Sequence, residues 1–236
     1  MEMQISNIIK NSKEIMTLLE RDKIKLEEVD DYHIYSIADN DTPRLSADRL
    51  EYSLSNALFV NELCDIEEIK RFYENIYVGV NEDKELELCF DDANIADEFV
   101  ELTSKLSILY RDDKTRFSME LLSDILKWLV KNNILTINDL YTLSENEVIE
   151  IINKSRLKDV FDKWVNLKDI NISKNMHDDY YYVKSRAKIR YIDPLVNDKR
   201  ISELSENTKE NIVNNFNYDM DNYVYSDSIK IKEFLK

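Results

Sequence analysis

The chain has 236 residues, of which 43% are hydrophobic and 34% are charged, and this composition is typical of a globular protein with a sizeable core. Its formal net charge of −16 argues against a nucleic-acid surface, because such surfaces neutralise phosphates with Lys and Arg. The single glycine excludes the glycine-rich phosphate loops of nucleotide-binding folds.

No apolar run reaches the length of a membrane span, and the acidic start of the chain lacks the basic and apolar regions of a signal peptide. We therefore expect a cytoplasmic protein with no membrane partner. Cys64 and Cys89 are too few and wrongly spaced for a disulfide framework, so we interpret them as buried hydrophobic residues.

Hydrophobic spacing predicts a mainly α-helical first region that extends to about residue 168. An amphipathic N-terminal helix is followed by a short segment and by a second helix, which Thr42 or Ser46 can cap. A third helix is predicted over 66–76. Apolar strands on either side of the polar turn 81–85 then predict a small β-hairpin insertion near residues 76–90.

Two long helices follow, at about 94–110 and 114–132, and their apolar stripes predict the helical core. Shorter helical segments continue to about residue 165. The sequence composition then changes, and it predicts a polar loop followed by tyrosine-rich strands, including a strand over 180–192. We expect residues 169–236 to form a mixed β/α appendage to the helical region.

The predicted second helix carries side chains of the types that bind divalent metals and phosphate. Residues 37–56 place a proline-bearing polar turn before a helix that opens with Asp48 and Arg49. The apolar residues of this helix form a stripe for the core, so Asp48 and Tyr52 share another face one turn apart. A carboxylate suits a divalent metal, and Arg presents a forked donor to phosphate.

The sequence Ala-Asp-Arg-Leu-Glu-Tyr around Asp48 resembles the last signature motif of the HD-domain metal-dependent phosphohydrolases, especially their dNTP-triphosphohydrolase-like branch. The resemblance covers residues 32–58 and recurs at 191–196, where the chain reads Tyr-Ile-Asp-Pro-Leu-Val. It implies that Asp48 is the fourth metal ligand. It also implies that Arg49 and Tyr52 face the phosphate of the substrate.

The resemblance also implies what this chain lacks before Asp48. The HD family places a first histidine and a His-Asp pair upstream of the motif, and neither has a counterpart in this sequence. His33 precedes the motif without a following Asp, and it is a candidate for a residue that contacts a metal-ligating side chain or faces the substrate. A simple boundary residue is the preferred interpretation. His177 and Asp178 form a His-Asp pair, but this pair follows the motif instead of preceding it. The preferred interpretation of His177 is a residue in a polar loop.

By the same resemblance, residues 1–168 would form the C-terminal part of an HD-like fold. The implied activity is hydrolysis of a nucleotide or other phosphoester, only where a missing segment or partner chain completes the metal site. The metal would be Mn, Fe, Mg or Zn, and none is expected in the isolated chain. The alternatives are a catalytically inactive HD-like binding or regulatory module and an unrelated helical protein with a coincidental motif. Expected partners are a second copy of the chain, an upstream HD-bearing chain, or a nucleotide ligand.

Four cations alternate with small or apolar residues after the start of the predicted tyrosine-rich strand. On a strand of period two they would share one face: Lys184, Arg186, Lys188 and Arg190. This face is a candidate anion or nucleotide-effector site, although a solvated sheet face is the preferred interpretation. The tyrosines nearby stand among acidic residues, and we attribute them to cross-strand packing rather than to base stacking.

Overall fold

The computed structural model describes residues 2–230, and the side chains of residues 5–230. Within that range there are eleven α-helices: α1 (Glu2–Asn11), α2 (Lys13–Asp22), α3 (Ala47–Phe59), α4 (Ile66–Glu74), α5 (Ala93–Leu109), α6 (Asp113–Lys131), α7 (Asp139–Thr142), α8 (Glu145–Lys154), α9 (Lys158–Val165), α10 (Ile201–Leu204) and α11 (Glu206–Phe216). The same range has seven strands: β1 (Ile76–Val80), β2 (Leu86–Phe90), β3 (Asn171–Ser173), β4 (Tyr180–Val183), β5 (Leu195–Val196), β6 (Lys199–Arg200) and β7 (Tyr223–Lys230).

The mainly α-helical character predicted from the sequence is confirmed, and both long helices and the hairpin lie where the hydrophobic spacing puts them. None of the helices within residues 2–230 is long and apolar enough to cross a membrane. Met1 and residues 231–236, the last part of the predicted appendage, lie outside the described residues.

The chain divides into two compact units, each built from two separate stretches of sequence. Met1–Ser107 and Arg190–Phe216 form the first unit, and Ile108–Ile189 and Asn217–Lys236 form the second. This division differs from the boundary predicted at residue 168. The difference arises because strands after residue 190 join the sheet of the first unit, and such distant pairing leaves no local signal in the sequence.

The first unit contains a four-stranded sheet of order β1-β2-β5-β6. β1 and β2 form the predicted antiparallel hairpin, whereas β5 pairs with β2 in parallel and β6 pairs with β5 antiparallel. Its core combines side chains from the sheet with those of α3, α4 and α5. The largest fully buried members of this core are Leu45, Leu54, Phe90, Phe99 and Leu106.

Side-chain caps mark where α3 and α4 begin. Of the two caps predicted for α3, Ser46 is the one observed, since its hydroxyl accepts from the backbone N–H of Arg49 at 3.2 Å. Asp65 caps α4 and forms a capping box with Glu68. These contacts satisfy backbone donors that the first helical turn leaves without partners.

The second unit packs α6 and α9 against one face of a three-stranded sheet of order β3-β7-β4. β7 is central and pairs antiparallel with both neighbours. The buried face of this sheet carries Tyr181, Val183 and Val224. Opposite them, the fully buried residues of α6 are Phe117, Leu121, Ile125 and Leu129.

The strand predicted over 180–192 is shorter than expected, because β4 ends at Val183. Val183 pairs with Val224, one residue after the start of β7. A continuation of β4 beyond Lys184 would therefore run past the end of β7 and have no strand to pair with. Residues 184–189 consequently form no strand.

The predicted burial of the cysteines is confirmed for Cys89, which is 1% exposed, whereas Cys64 is half-buried. Burial raises the pKa of the Cys89 thiol to about 11. This cysteine therefore behaves as a packed apolar side chain in its thiol form.

Replacing Leu121 by Ala tests the core of the second unit. Because Leu121 is fully buried, we expect Leu121→Ala to lower the free energy of unfolding by about 2–5 kcal/mol through lost contacts and a residual cavity. Met119 on the same helix is 67% exposed, so Met119→Ala should cost less than about 0.5 kcal/mol. Urea unfolding followed by circular dichroism measures both, and equal losses would contradict the assignment of Leu121 to the core.

Candidate functional site

Asp48, the predicted metal ligand, lies in the first turn of α3 with its side chain exposed. Its backbone N–H donates to the carbonyl oxygen of Ala38 at 3.1 Å, which ties the start of α3 to the preceding turn. A negative side chain is also favourable at this end of a helix. Tyr52 lies one turn further along α3 and is half-buried.

Arg49, predicted to face phosphate, directs its guanidinium into the loop before α3. Its Nη1 donates to the carbonyl oxygen of Arg44 at 2.8 Å and to the side chain of Asn40, and its Nη2 donates to the backbone oxygen of Asn40. The carboxylate of Asp39 lies 3.8 Å from Nη2. The guanidinium therefore closes this loop, and a role in phosphate binding stays a prediction.

A cleft of about 310 Å³ lies at this loop in the first unit. Its lining is polar and comes from the loop and the hairpin turn: His33, Ser36, Asp39, Asn40, Asp41, Arg44 and Glu85. Arg44 bridges the two walls through ion pairs with Asp83 and, at 2.8 Å, with Glu85. The cleft thus combines several carboxylates with one guanidinium and one imidazole.

His33 is the only sequence-predicted site residue that lines this cleft. Its side chain is exposed, its Nδ1 lies 3.2 Å from a carboxylate oxygen of Asp31, and its ring stacks on Tyr32 with centroids 4.3 Å apart. These contacts hold the imidazole at the surface. They fit the preferred interpretation of a boundary residue and leave contact with a ligand as a prediction.

Across residues 2–230 no group of three or more His, Cys, Asp or Glu side chains is arranged to hold a metal ion. Asp48 offers one oxygen ligand, but divalent metals of this kind require several converging ligands. The second histidine, His177, lies in the second unit, where its ring packs against Tyr225 with centroids 4.6 Å apart. The described residues alone therefore do not fit a divalent metal.

A buried ion pair lies behind the cleft. Glu87 on β2 is fully buried, and its Oε1 is 2.7 Å from Nη1 of Arg200 on β6. Arg200 also donates from Nη2 to both carboxylate oxygens of Glu82 at 2.8 Å. Burial alone would lower the pKa of Arg200, but the hydrogen bonds to Glu87 and Glu82 outweigh it and raise the pKa, so the guanidinium stays charged.

This ion pair connects the two segments that resemble the HD family. Glu87 accepts from the backbone N–H of Leu45, just before α3, at 3.1 Å. Arg200 donates to the carbonyl oxygen of Asp193 at 2.9 Å, and the backbone N–H of Asp193 donates to the carbonyl oxygen of Pro43, also at 2.9 Å. The Pro-bearing turn and the Tyr-Ile-Asp-Pro-Leu-Val segment are therefore neighbours in the first unit.

Sequence reasoning did not single out Glu87 or Arg200. In the alternation Leu86, Glu87, Leu88, the pattern of a half-buried hairpin places Glu87 on the solvent face. In the structure the Glu87 carboxylate instead contacts Asn81, Arg200 and the backbone of Leu45. One available signal is that β2 otherwise reads as a nearly continuous apolar run, which is typical of a strand covered on both faces.

The four cations predicted to share one strand face lie on a segment that is not a strand. Lys184 pairs with Asp221 at 3.1 Å, while Arg186 and Lys188 are exposed in the second unit. Arg190 is also exposed but belongs to the first unit. The predicted strand is therefore wrong from residue 184 onward, because β4 ends at Val183, and the candidate anion site stays a prediction.

Removing Arg200 tests the buried ion pair. We expect Arg200→Ala to cost about 3–5 kcal/mol of unfolding free energy, because it leaves the carboxylate of Glu87 buried without its charge partner. The matched control is Arg71→Ala, since Arg71 pairs with Glu98 at the surface and should contribute less than about 1 kcal/mol. Urea unfolding distinguishes the two, and a loss at Arg200 no larger than at Arg71 would contradict a structural role for the pair.

Comparison with known proteins identifies no relative of this chain. No family model, curated protein or solved structure matches it. The likeness to the HD-domain phosphohydrolases therefore rests on the residues of the two segments and on their proximity in the first unit.

Proposed function

We propose that this chain supplies one part of an HD-type phosphohydrolase site, in which Asp48 is one ligand of a divalent metal. The remaining ligands would come from a missing segment or a partner chain. The substrate class is a phosphoester, and the family resemblance favours a nucleotide. The observation that carries the proposal is the exposed carboxylate of Asp48 in the first turn of α3, next to a turn held from inside the first unit.

The turn that precedes Asp48 is held by contacts of the kind that a metal ligand requires. A ligand must be held close to its productive geometry by neighbours that are themselves fixed. The turn before α3 is held by Leu45 bonded to buried Glu87, by Pro43 bonded to Asp193, and by the guanidinium of Arg49. In this proposal Arg49 acts by fixing the loop beside Asp48.

In this proposal the isolated chain does not hydrolyse a phosphoester. Asp48 supplies a single carboxylate, and His33 is oriented by Asp31 at the far end of the loop. A site of this class needs neutral imidazoles and carboxylates that converge from several helices. Those imidazoles are what the missing segment or partner would bring.

Apolar surface on the same unit supports a covering partner. Phe59 and Val60, at the C-terminal end of α3, are 80% and 70% exposed, and Ile66 at the start of α4 is 52% exposed. Large contiguous patches of exposed apolar residues mark interaction surfaces, and Phe59 and Val60 would belong to such a patch in this proposal. α3 therefore carries Asp48 at one end and an apolar surface at the other.

The second candidate function is a binding or regulatory module without catalysis. The observation that favours it is the guanidinium of Arg49, whose Nη atoms are occupied by Asn40 and Arg44 of the loop. A guanidinium that is already bonded within its own loop does not neutralise charge on a reacting phosphate. This favours a module that binds a ligand without turning it over. The two candidates differ in whether Asp48 binds metal once the upstream histidines are supplied.

The isolated chain tests the incomplete site. We expect the protein, purified without chelator, to contain less than about 0.1 mol of Mn, Fe or Zn per mol of chain, because one carboxylate cannot retain a divalent ion through purification. Elemental analysis by mass spectrometry measures this content. One tightly bound metal per chain that disappears in Asp48→Asn would show that the chain builds a complete site by itself.

A completed assembly tests Asp48 directly. In a longer chain or complex that supplies the upstream histidine and His-Asp pair, we expect Asp48→Asn to abolish metal retention and nucleotide hydrolysis. Unfolding free energy should change by less than about 0.5 kcal/mol, because Asn preserves the shape of Asp but not the charge that the ion requires. Metal analysis, phosphate release and urea unfolding measure the three effects.

The matched control in that assembly is Glu51→Gln, which removes the same charge from an exposed position on the same helix. It should retain both metal and activity. Full metal content and turnover in Asp48→Asn would exclude Asp48 as a ligand, and they would favour the binding module.

A further inference from the structure

One face of the sheet in the second unit is built from tyrosines. Tyr181, Val183 and Val224 point into the core, so their neighbours along β4 and β7 lie on the opposite face. These neighbours are all half-buried: Tyr180, Tyr182, Tyr223 and Tyr225. We refer to these four residues as the tyrosine face.

The rings of the tyrosine face contact one another across the strands. Tyr180 stacks on Tyr225 with ring centroids 5.5 Å apart, and Tyr182 meets Tyr223 edge-on at 5.4 Å. His177 adds a fifth ring beside Tyr225. Cross-strand packing explains these contacts, but it leaves every ring partly open to solvent.

Cations border the tyrosine face on both strands. The Nζ atom of Lys230 lies 3.7 Å from the ring centroid of Tyr180, and Nζ of Lys184 lies 4.7 Å from that of Tyr223. Beyond Lys184, the exposed side chains of Arg186 and Lys188 extend the positive charge along the chain. Cations therefore lie directly against two of the four rings, and two more exposed cations follow along the chain.

The negative net charge of the chain does not come from the unit that carries this surface. The second unit has 17 Lys and Arg and 17 Asp and Glu, whereas the first unit has 15 and 31. The entire formal charge of −16 therefore belongs to the first unit. The second unit is neutral, so the argument from composition against a phosphate-binding surface does not hold for it.

We propose that the tyrosine face, with Lys184, Lys230, Arg186 and Lys188, is a binding site for single-stranded nucleic acid. Unpaired bases stack on aromatic side chains, and the cations beside the rings meet the phosphates. An acidic peptide would use the cations alone and would leave the row of rings without a role. A duplex keeps its bases stacked inside and cannot reach the rings.

The present contacts of the lysines do not block such binding. A lysine over an exposed ring is held more weakly than a base stacked on that ring. Lys184 also pairs with Asp221, but side chains of this pair are 38% and 59% exposed, and such pairs contribute little. Both lysines can therefore exchange a ring or a carboxylate for a phosphate.

The test measures binding of the full chain to fluorescein-labelled oligonucleotides of about 12 nucleotides in about 50 mM NaCl, by fluorescence anisotropy. Oligo-dT and oligo-U serve as the DNA and RNA arms, and a duplex of the same length and poly-glutamate serve as competitors. We expect saturable binding in at least one single-stranded arm, weakening as salt rises. The duplex and poly-glutamate should compete at least about tenfold less well than the unlabelled single strand.

Variants assign the binding to the tyrosine face. Tyr182→Leu and Tyr225→Leu should each weaken binding about tenfold because they remove a stacking ring, whereas Tyr182→Phe should bind within about twofold of the native chain. The matched control is Tyr141→Leu, since Tyr141 is 57% exposed on α7 of the same unit, away from the sheet. For charge, Lys188→Gln should weaken binding and reduce its salt dependence, while Lys131→Gln on α6 should do neither.

The Tyr182→Phe variant keeps the test valid where a leucine variant does not fold, because loss of binding in a folded Phe variant would exclude a stacking role. No binding of either single strand at about 100 µM protein in low salt would overturn the proposal. So would poly-glutamate competing as well as the oligonucleotide, which would identify an acidic protein as the partner. Equal effects of Tyr182→Leu and Tyr141→Leu would also overturn it.

Discussion

The first unit depends on the buried ion pair between Glu87 and Arg200. A carboxylate that is fully buried is tolerated only when its charge and its hydrogen-bonding capacity are both satisfied, and Glu87 receives Arg200, Asn81 and the backbone of Leu45. These donors come from three distant parts of the sequence. The pair therefore fixes how the loop before α3, the hairpin and the segment after β5 meet, and a rearrangement of any of them would leave a charge buried without a partner.

This constraint connects the interior of the first unit to its candidate site. The same contacts that satisfy Glu87 and Arg200 hold the turn from which α3 and Asp48 emerge. Arg49 performs a similar task from the outer side of the turn. A loop with this many internal contacts is a suitable support for a ligand, and it requires no ligand in order to be ordered.

The two units carry different electrostatic character, and a single net charge hides this. The first unit holds all of the excess negative charge, and its cleft is rich in carboxylates. The second unit is neutral and concentrates cations beside half-buried tyrosines. Because surface charges are screened over about 8 Å in physiological salt, the potential at a binding surface depends on local groups more than on the total charge.

The sequence by itself determined the elements that depend on local interactions. α5, α6 and the β1–β2 hairpin follow from hydrophobic periodicity, and the start of α3 follows from its cap, Ser46. It also placed Asp48 at the start of an exposed helical turn. These features are decided within one or two turns of chain, so their signals lie close together in the sequence.

Tertiary structure alone decided the parallel pairing of β2 with β5, the division into two units and the end of β4 at Val183. It also decided that Glu87 is buried and that Arg49 is bound by its own loop, although the hairpin pattern indicates a solvent-facing Glu and the family resemblance implies an Arg that faces phosphate. In each case the deciding partner lies on a separate element or across a loop. Periodicity reports which residues share a face of one element, but the partner that covers that face is set by packing between distant segments.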